Sequence, residues 1–470
     1  MAIASRSHDA ASALAAVVGK QHLIVEQSAV QRFLKDNSWL SPILSQHLQD
    51  LKGDDGGLLP IDAVVSPGNV DELRRIVALC FQHDIPMTVR GKGTSNFGQS
   101  IPLEGGIIID LQRLDRILEV TDTSITAEAG AIHGDVEKAA QARGRELTLL
   151  TTTYAMATVG GWVAGGHVGV GTSGYGSIWD GNVLGVKLLT AEANPRLLDL
   201  RGEAAVPALH TYGTVGVITE VTFPLVAARR WLEAVSVFDD FRGACEFTVA
   251  MSKEPPHDQR VVAAQEAPVP MSYSPLKHFF RPGQSCVLNV IAEGIRDRAE
   301  TLTRQHGGTF HNWKEPGDEA LLSFNYLVYG HRMLWVKKLA PTAGFLHVYF
   351  SRDRIYEQID AIKDEFGDRA WLELKFMNSP YLSSLRGESG DTLLPAAVIA
   401  LVPGDRAAID RAMQLCDSLG ATYLNPHTFV LEESGLFRDF DQILEFKRQT
   451  DPKGLLNPGK IGRKFYREVK

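Results

Sequence analysis

The sequence is poor in cysteine. Its 470 residues include four cysteines, and no two of them stand in a CxxC pair or at the spacing of a metal site. This pattern argues against a zinc or iron–sulfur site made by this chain alone, so we predict that the chain has no metal ligands. We expect all four thiols to be reduced and structural, which fits a cytoplasmic location. The four are Cys80, Cys245, Cys286 and Cys416.

The chain also lacks long apolar runs and an excess of positive charge. Nowhere do about 18 apolar residues follow one another without interruption, which predicts no integral membrane association. The alanine-rich start, with Arg6, His8 and Asp9, has the pattern of an N-terminal helix rather than that of a signal peptide. A formal net charge of -8 without a polybasic run argues against a nucleic-acid partner.

The alternation of residue types predicts an α+β fold. Residues 63–67, 70–84 and 86–90 have the patterns of a strand, an amphipathic helix and a strand, with Asn69 as the helix cap. Short β-rich runs and helical stretches continue towards residue 421. Because 470 residues exceed the usual size of one hydrophobic core, we expect two or three domains.

Glycine, by contrast, is concentrated between Arg90 and Gly185. The loop 89-VRGKGTSNFGQ-99 places three glycines among hydrogen-bond donors, a pattern that suits backbone N–H groups gathered around phosphate oxygens. Thr94 and Ser95 would add hydroxyl donors, and Arg90 or Lys92 a cation. A plain turn is the alternative interpretation of this loop.

A second glycine-rich segment, 158-TVGGWVAGGHVGVGTSGYG-176, could lay bare backbone along a flat ligand such as an isoalloxazine ring. A glycine-rich structural hairpin is the alternative. His167 within it could hydrogen-bond a flavin or only satisfy backbone carbonyls. Neither segment has the spacing of a Rossmann fingerprint or of a P-loop, which disfavours nicotinamide cofactors and nucleoside triphosphates.

The glycine-rich segments belong to a longer series of motifs. VRGKGTSNFGQ, TVGGWVAGGHVGVGTSGYG, YGTVGVITEV and DPKGLLNPGK together resemble the successive signatures of the vanillyl-alcohol oxidase type of FAD-binding oxidoreductase, an FAD-linked oxidase with a PCMH-type FAD-binding domain. The resemblance implies FAD as the cofactor and an α+β fold in which a two-subdomain FAD-binding domain carries an α+β cap. The implied division is an N-terminal helical segment at 1–55, the FAD-binding domain (PCMH type) at 56–228, the cap or substrate domain at 229–420, and a C-terminal segment at 421–470 that returns to the FAD domain.

The resemblance also implies where FAD would lie. In the family the first loop wraps the pyrophosphate, the TVGG segment lines the flavin and ribityl chain, and the GVITEV strand flanks the adenine side. The FAD contacts implied for this chain are Arg90, Gly91, Lys92, Gly93, Thr94, Ser95, Thr153, Thr158, Gly160, Gly161, Gly165, Gly166, His167, Val217 and Ile218.

Two of these positions bear on how FAD would be attached. Several relatives tether FAD through a histidine at the position where this sequence has Thr94, and others add a cysteine near Thr153 and Tyr154. We therefore predict non-covalent FAD, which leaves His427 as a remaining tether candidate.

The resemblance implies that the cap supplies the catalytic residues. Hydride transfer to a flavin needs a base for the accompanying hydroxyl proton, and hydrogen bonding in the core or at the surface is the alternative role for each candidate. A Lys375 cation would stabilise a reduced flavin, and its segment resembles one in the decaprenylphosphoryl-ribose oxidases that carries an active-site lysine. The catalytic candidates are Tyr326, His331, Lys375, Asn378 and His427.

A metal-assisted 2-hydroxy-acid mechanism is disfavoured by a missing motif. The D-lactate and D-2-hydroxyglutarate dehydrogenase branch carries an HxGDGNxH run, and the nearest stretch here, 344-GFLHVYFS-351, has one histidine.

The function predicted from the sequence is an FAD-dependent oxidase or dehydrogenase. It would act on a CH–OH group of a small organic, sugar-like or phenolic substrate, with oxygen, a quinone or a protein partner as electron acceptor. One alternative is a flavin-carrying electron-transfer subunit of a multi-subunit complex. Another is an FAD-binding scaffold whose catalytic residues have decayed. A homodimer is compatible with the sequence.

Overall fold

The structure is a computed structural model. It describes residues 11–36, 40–52, 61–95, 98–317, 323–324, 332–387 and 392–461. Two of the predicted catalytic residues, Tyr326 and His331, lie outside the described residues.

The first sheet has four strands in the order β1-β2-β4-β3. Strands β2, β4 and β3 run parallel, and β1 pairs with β2 in the antiparallel sense. Parallel strands need a crossover, and a helix supplies it between β2 and β3. The strands are β1 (Leu23–Ile24), β2 (Ile61–Val65), β3 (Met87–Arg90) and β4 (Gly106–Asp110).

The second sheet has six antiparallel strands, and β10 is its longest. One side of β10 pairs with β6 and the other with β8, while its last three residues pair with β7. The strands are β5 (Ile117–Val120), β6 (Ser124–Glu128), β7 (Arg145–Leu147), β8 (Gly185–Leu189), β9 (Leu197–Arg201) and β10 (Val217–Ala227).

The third sheet has eight strands in the order β14-β11-β13-β12-β16-β17-β15-β18. All of its pairings are antiparallel. The strands are β11 (Trp231–Phe238), β12 (Gln259–Gln265), β13 (Ser285–Ala292), β14 (Thr309–Lys314), β15 (Gly344–Tyr349), β16 (Ala370–Asn378), β17 (Leu393–Leu401) and β18 (Thr422–Leu424).

Helices alternate with these strands along the chain. None of the helices within the described ranges combines the length and apolar character needed to cross a membrane. The α-helices are α1 (11–18), α2 (Gln27–Val30), α3 (Pro42–Lys52), α4 (Val70–Gln82), α5 (His133–Gln141), α6 (Val159–Gly165), α7 (Thr172–Tyr175), α8 (Phe241–Met251), α9 (Arg296–Gln305), α10 (Ile355–Phe366), α11 (Pro380–Leu385), α12 (Arg406–Leu419) and α13 (Phe440–Thr450).

Strand β16 shows how the large sheet separates its two faces. Leu372, Leu374 and Phe376 are buried in an apolar cluster that also contains side chains of α8, α10 and α12. Because successive side chains of a strand point to opposite faces, Glu373 and Lys375 lie on the other face. The helices therefore cover one face of the sheet, and the second face is available for contacts with other parts of the chain.

The C-terminal tail pairs with the first sheet. The backbone N–H of Met87 donates to the carbonyl of Leu455 at 2.7 Å, and the N–H of Asn457 donates to the carbonyl of Met87 at 2.6 Å. The side-chain amide of Asn457 also donates to the carbonyls of Gln99 and Tyr212, at 3.0 and 2.7 Å. The tail thus joins three segments that are far apart in the sequence.

A buried ion pair fixes the start of this tail. Nζ of Lys447 lies 2.7 Å from Oδ2 of Asp451, and both side chains are fully buried. Lys447 also donates to the carbonyl of Thr214, and Asp451 accepts hydrogen bonds from the N–H groups of Leu455 and Leu456. Asp451 therefore orients the turn that leads to the first sheet.

We predict that Asp451→Ala lowers the apparent free energy of unfolding by about 3–5 kcal/mol, because it removes the counter-charge of a buried ammonium group. Urea unfolding followed by circular dichroism measures the change. The control is Glu445→Ala on the exposed face of α13, for which we expect a change within about 0.5 kcal/mol. A loss no larger than that of the control would contradict the role given to the pair.

Candidate functional site

A cavity of about 280 Å³ lies between the glycine-rich segments and the face of the third sheet that is opposite the helices. One wall consists of residues from 89–100 and 151–168, and the opposite wall consists of residues from β15, β16 and β17. The remaining lining residues are His210, Tyr212, Met333, Leu334 and residues from 424–436. The cavity therefore lies between two parts of the fold, a usual place for ligand sites.

The loop after β3 presents backbone donors to this cavity. Within the described residues, no acceptor takes a hydrogen bond from the backbone N–H groups of Lys92, Gly93 or Thr94, and all three residues line the cavity. Consecutive donors of this kind bind anions such as phosphate oxygens. The loop is therefore suited to an anionic part of a ligand.

The guanidinium group of Arg90 holds the loop in place through hydrogen bonds. It donates to the carbonyls of Phe33 and Lys35, at 3.0 and 2.5 Å, and to Oγ of Ser100 at 3.2 Å. The two carbonyls belong to the N-terminal segment, so Arg90 fixes the loop to that segment. Lys92 is the exposed cation of the loop.

Two glycines of the loop have no room for a side chain. A Cβ atom on Gly91 would lie 2.1 Å from Oγ1 of Thr158, which is itself buried. Gly93 has a φ of +64°, and its Cβ would lie 2.0 Å from the Arg90 guanidinium. The glycine-rich sequence therefore permits the loop to pack directly against the next segment.

That next segment begins with helix α6. Thr158 caps the helix by accepting a hydrogen bond from the N–H of Gly161 at 3.3 Å. The segment then runs along the cavity from Gly165 to His167, and Gln99 donates to the carbonyl of Gly165 at 2.9 Å. Thr158, Gly161, Gly165, Gly166 and His167 all line the cavity.

Two histidines meet at this wall. The rings of His167 and His210 are 5.2 Å apart in an edge-to-face arrangement, and Nδ1 of His210 lies 3.0 Å from the carbonyl of Gly166. Burial, and then the nearby His210, His347 and Lys375, hold the pKa of His167 well below its usual range. Burial lowers the pKa of His210 to about 4. Both imidazoles are therefore neutral at neutral pH.

The sheet wall carries the polar groups that face the glycine-rich segments. Glu373, Lys375 and Met377 alternate along β16 and line the cavity, as do His347 and Tyr349 of β15. Their spacing of two residues places each set on one face of its strand. The two-residue alternation of β15 and β16 thus places several polar side chains on one surface.

Lys375 belongs to a hydrogen-bonded series that extends away from the cavity. Nζ of Lys375 lies 2.9 Å from Oε1 of Glu373, and Nε2 of Gln265 donates to Oε2 of Glu373 at 2.9 Å. The hydroxyl of Tyr273 donates in turn to Oε1 of Gln265 at 3.1 Å. Glu373 is almost fully buried, so this series fixes the position of its carboxylate.

The two walls are joined by Asp180. Its Oδ2 accepts hydrogen bonds from the N–H and hydroxyl of Ser177 and from the hydroxyl of Ser379, at 2.7, 2.6 and 2.6 Å. Its Oδ1 accepts from the N–H of Tyr381 at 2.8 Å. The ring of Tyr381 stacks on Trp179 with centroids 4.6 Å apart. These contacts fasten the glycine-rich segment to the end of β16.

A family model described as an FAD binding domain matches residues 61–196. This part of the chain is an FAD-binding domain. The α+β fold class predicted from the sequence is confirmed, and so is FAD as the cofactor.

The relatives are similar to the chain over different lengths. Glycolate oxidase subunit GlcD of Bacillus subtilis (strain 168) is 29% identical over 176 residues, which is 35% of this chain and 37% of that protein. The chain thus spans little more than a third of the length of this first curated relative. A probable mitochondrial D-lactate dehydrogenase of Danio rerio is 21% identical over 437 residues, which is 86% of this chain and 84% of that protein.

A solved structure supports the fold over nearly the whole chain. An alkyldihydroxyacetonephosphate synthase superposes with a TM-score of 0.69 and 16% identity, covering 96% of this chain and 84% of the other. At this identity the similarity concerns the fold alone.

The residues of the first wall fit FAD. The N–H groups of Lys92, Gly93 and Thr94, which donate to no acceptor among the described residues, suit a pyrophosphate, and Ser95 and Thr153 line the same cavity. The expected contacts at Gly160, Val217 and Ile218 lie outside the cavity lining. A Cβ on Gly160 would lie 2.5 Å from that of Ala129, and Val217 and Ile218 are buried in strand β10. These three residues pack into the core of the FAD-binding domain.

The predicted catalytic residues are not all brought together. Lys375 lines the cavity, whereas Asn378 and His427 lie outside its lining. Asn378 is three positions from Lys375 and so points to the opposite face of β16, where it accepts a hydrogen bond from Thr392. Nε2 of His427 lies 3.2 Å from Asp410 of α12.

Several lining residues were not foreseen from the sequence. His347 and Glu373 could have been found from the two-residue alternation of β15 and β16, which places them beside Phe345 and Lys375. His210 had no such signal. It has a φ of +58°, an uncommon conformation for a residue other than glycine, and only the folded chain shows it.

We predict that Gly91→Ala weakens FAD binding about 5- to 150-fold, because crowding of this kind costs about 1–3 kcal/mol. Titration of the apoprotein with FAD, followed by flavin fluorescence, measures the change. The matched control is Gly294→Ala, whose Cβ would have no atom within 4 Å. Equal affinities for the two variants would contradict the packing of Gly91 on Thr158.

Proposed function

We propose that this chain is an FAD-dependent oxidoreductase of the vanillyl-alcohol oxidase type that oxidises a CH–OH group of a small organic substrate. The observation that carries the proposal is that Lys375 and the polar face of the third sheet share one cavity with the FAD-binding loop. The relatives named for glycolate oxidase and D-lactate dehydrogenase support the reaction class. The electron acceptor would be oxygen, a quinone or a protein partner.

The glycine-rich wall would hold the cofactor. FAD, when bound, supplies a two-electron acceptor for a hydride. The N–H groups of the loop from Gly91 to Ser95 would hold its pyrophosphate, and the segment from Thr158 to His167 would lie along its flavin. A cofactor held there would face the sheet wall.

The sheet wall would act on the substrate. The ammonium group of Lys375 would stabilise negative charge that develops in the cavity, and a low dielectric would strengthen that effect. The neutral imidazole of His167 would accept a hydrogen bond from a substrate hydroxyl. Glu373 would act as a positioning residue, because it holds Lys375 rather than the reacting atoms.

An alternative function is that of a flavin-carrying electron-transfer subunit. The name of one relative, glycolate oxidase subunit GlcD, favours this possibility. In such a complex a partner protein would exchange electrons with the cofactor, and the chain alone would oxidise no alcohol.

We predict that anaerobic addition of a suitable alcohol bleaches the flavin absorbance of the purified protein, and that Lys375→Met slows this bleaching about 100-fold. Stopped-flow absorbance measures the rate, with a panel of alcohols, hydroxy acids and phenols. The control is Lys138→Met, which removes an exposed lysine of α5 and should not change the rate. Flavin that no compound bleaches, but that a partner protein reduces, would favour the subunit.

We also propose that FAD is bound non-covalently. Resembling enzymes carry a tether at the position of Thr94 or near Thr153 and Tyr154. The hydroxyl oxygens of Thr94 and Thr153 lie 3.4 Å apart beside the cavity. Neither side chain can form the histidyl or cysteinyl bond to a flavin.

We expect trichloroacetic acid to release all of the flavin into the supernatant, where its absorbance is measured after centrifugation. Yellow colour in the washed pellet would contradict non-covalent binding. Peptide mapping of such a pellet would then identify the tether and would distinguish His427 from the histidines that line the cavity.

A further inference from the structure

The sheet wall of the cavity combines many apolar side chains with a few polar ones, and two of the polar ones, Lys375 and Glu373, form an ion pair. Among the described residues from 332 onwards that line the cavity, Lys375 and Glu373 carry the full charges. The apolar side chains of this wall include Met333, Leu334, Phe345, Met377, Val398 and Leu424. A substrate on this side would therefore be surrounded mainly by hydrocarbon.

Buried hydrogen bonds hold the ion pair in position on the side away from the cavity. One oxygen of Glu373 contacts Lys375, and the other accepts a hydrogen bond from Gln265, which is held by Tyr273. Glu373, Gln265 and Tyr273 are all buried. The carboxylate therefore cannot turn away from Lys375 without losing hydrogen bonds that the interior would not replace.

A substrate carboxylate would have to compete with this arrangement. It would either share Lys375 with Glu373, which places two anions side by side, or leave Glu373 without its counter-charge in a buried place. Both are unfavourable where the dielectric is low. An uncharged hydroxyl group can hydrogen-bond to the pair without displacing either partner.

A metal ion is the usual alternative for binding a carboxylate. In the part of the chain that the structure describes, no group of three or more histidine, cysteine, aspartate or glutamate side chains could hold a metal ion. The ion pair of Lys375 and Glu373 is therefore the charged contact that the carboxylate of a 2-hydroxy acid would meet on the described sheet wall.

We infer that the cavity takes an uncharged alcohol on an apolar body, such as an arylalkyl alcohol, and that Glu373 is the specificity-determining residue that excludes 2-hydroxy acids. The inference rests on the proposed function and narrows its substrate class. It distinguishes this chain from relatives whose names refer to glycolate and D-lactate.

The test compares racemic 1-phenylethanol with racemic mandelate, which differ in having a methyl group or a carboxylate beside the same carbinol carbon. Both are titrated anaerobically into the FAD-loaded protein. Perturbation of the flavin spectrum measures binding, and bleaching measures oxidation. For the wild-type protein we expect 1-phenylethanol to bind at least about tenfold more tightly than mandelate.

The variant Glu373→Gln keeps the shape of the side chain and removes the Glu373 carboxylate that contacts Lys375. We expect it to bind mandelate about tenfold more tightly than the wild type does, while its affinity for 1-phenylethanol changes less than about threefold. The matched control is Glu266→Gln, because Glu266 forms a similar pair with Lys363 at 2.7 Å outside the cavity lining. The control should keep the preference of the wild type.

The outcomes separate this inference from the proposed function. Mandelate that binds the wild type as tightly as 1-phenylethanol, or an unchanged preference in Glu373→Gln, would overturn the inference. Mandelate that alone bleaches the flavin would overturn it and leave the proposed oxidoreductase in place. The expected binding preference without bleaching by any compound would support the inference while the proposed oxidation fails. The comparison of 1-phenylethanol with mandelate on the wild-type protein remains a test of the inference even if the variant does not fold.

Discussion

The carboxylate of Asp180 is the contact on which the geometry of the site depends. It accepts hydrogen bonds from Ser177 on the glycine-rich side and from Ser379 and Tyr381 on the side of the large sheet. A cavity between the glycine-rich segments and a sheet has a defined width only if both walls are fixed to each other. Since glycine-rich backbone has little side chain with which to pack, a few short hydrogen bonds have to provide that fixation.

The local elements could be predicted because their signals are local. Asn69 was expected to cap the helix that begins at Val70, and its side chain accepts the N–H of Glu72 at 2.8 Å. That helix ends at Gln82, two residues before the end predicted at residue 84. Caps and periodicity act over a few residues, so a single sequence contains the whole signal.

The composition of the site was harder to predict because it depends on distant contacts. Arg90 was expected to provide a cation for phosphate, yet its guanidinium binds carbonyls of Phe33 and Lys35. No pattern near Arg90 indicates that the N-terminal segment passes there. Lys375 was identified from its chemistry, whereas Asn378 is directed to the other face by the register of one strand. A register error of one residue is enough to exchange core and site positions.

The contact between the tail and the FAD-binding loop has a consequence for biosynthesis. Nζ of Lys460 donates to the carbonyl of Gly98, 362 positions earlier in the chain. At a translation rate of about 5–20 residues per second, the loop would leave the ribosome roughly 20 to 70 seconds before the residues that complete it. The nascent loop therefore spends that interval without the hydrogen bond from Lys460, so this contact cannot help to shape the loop until residue 460 has been added.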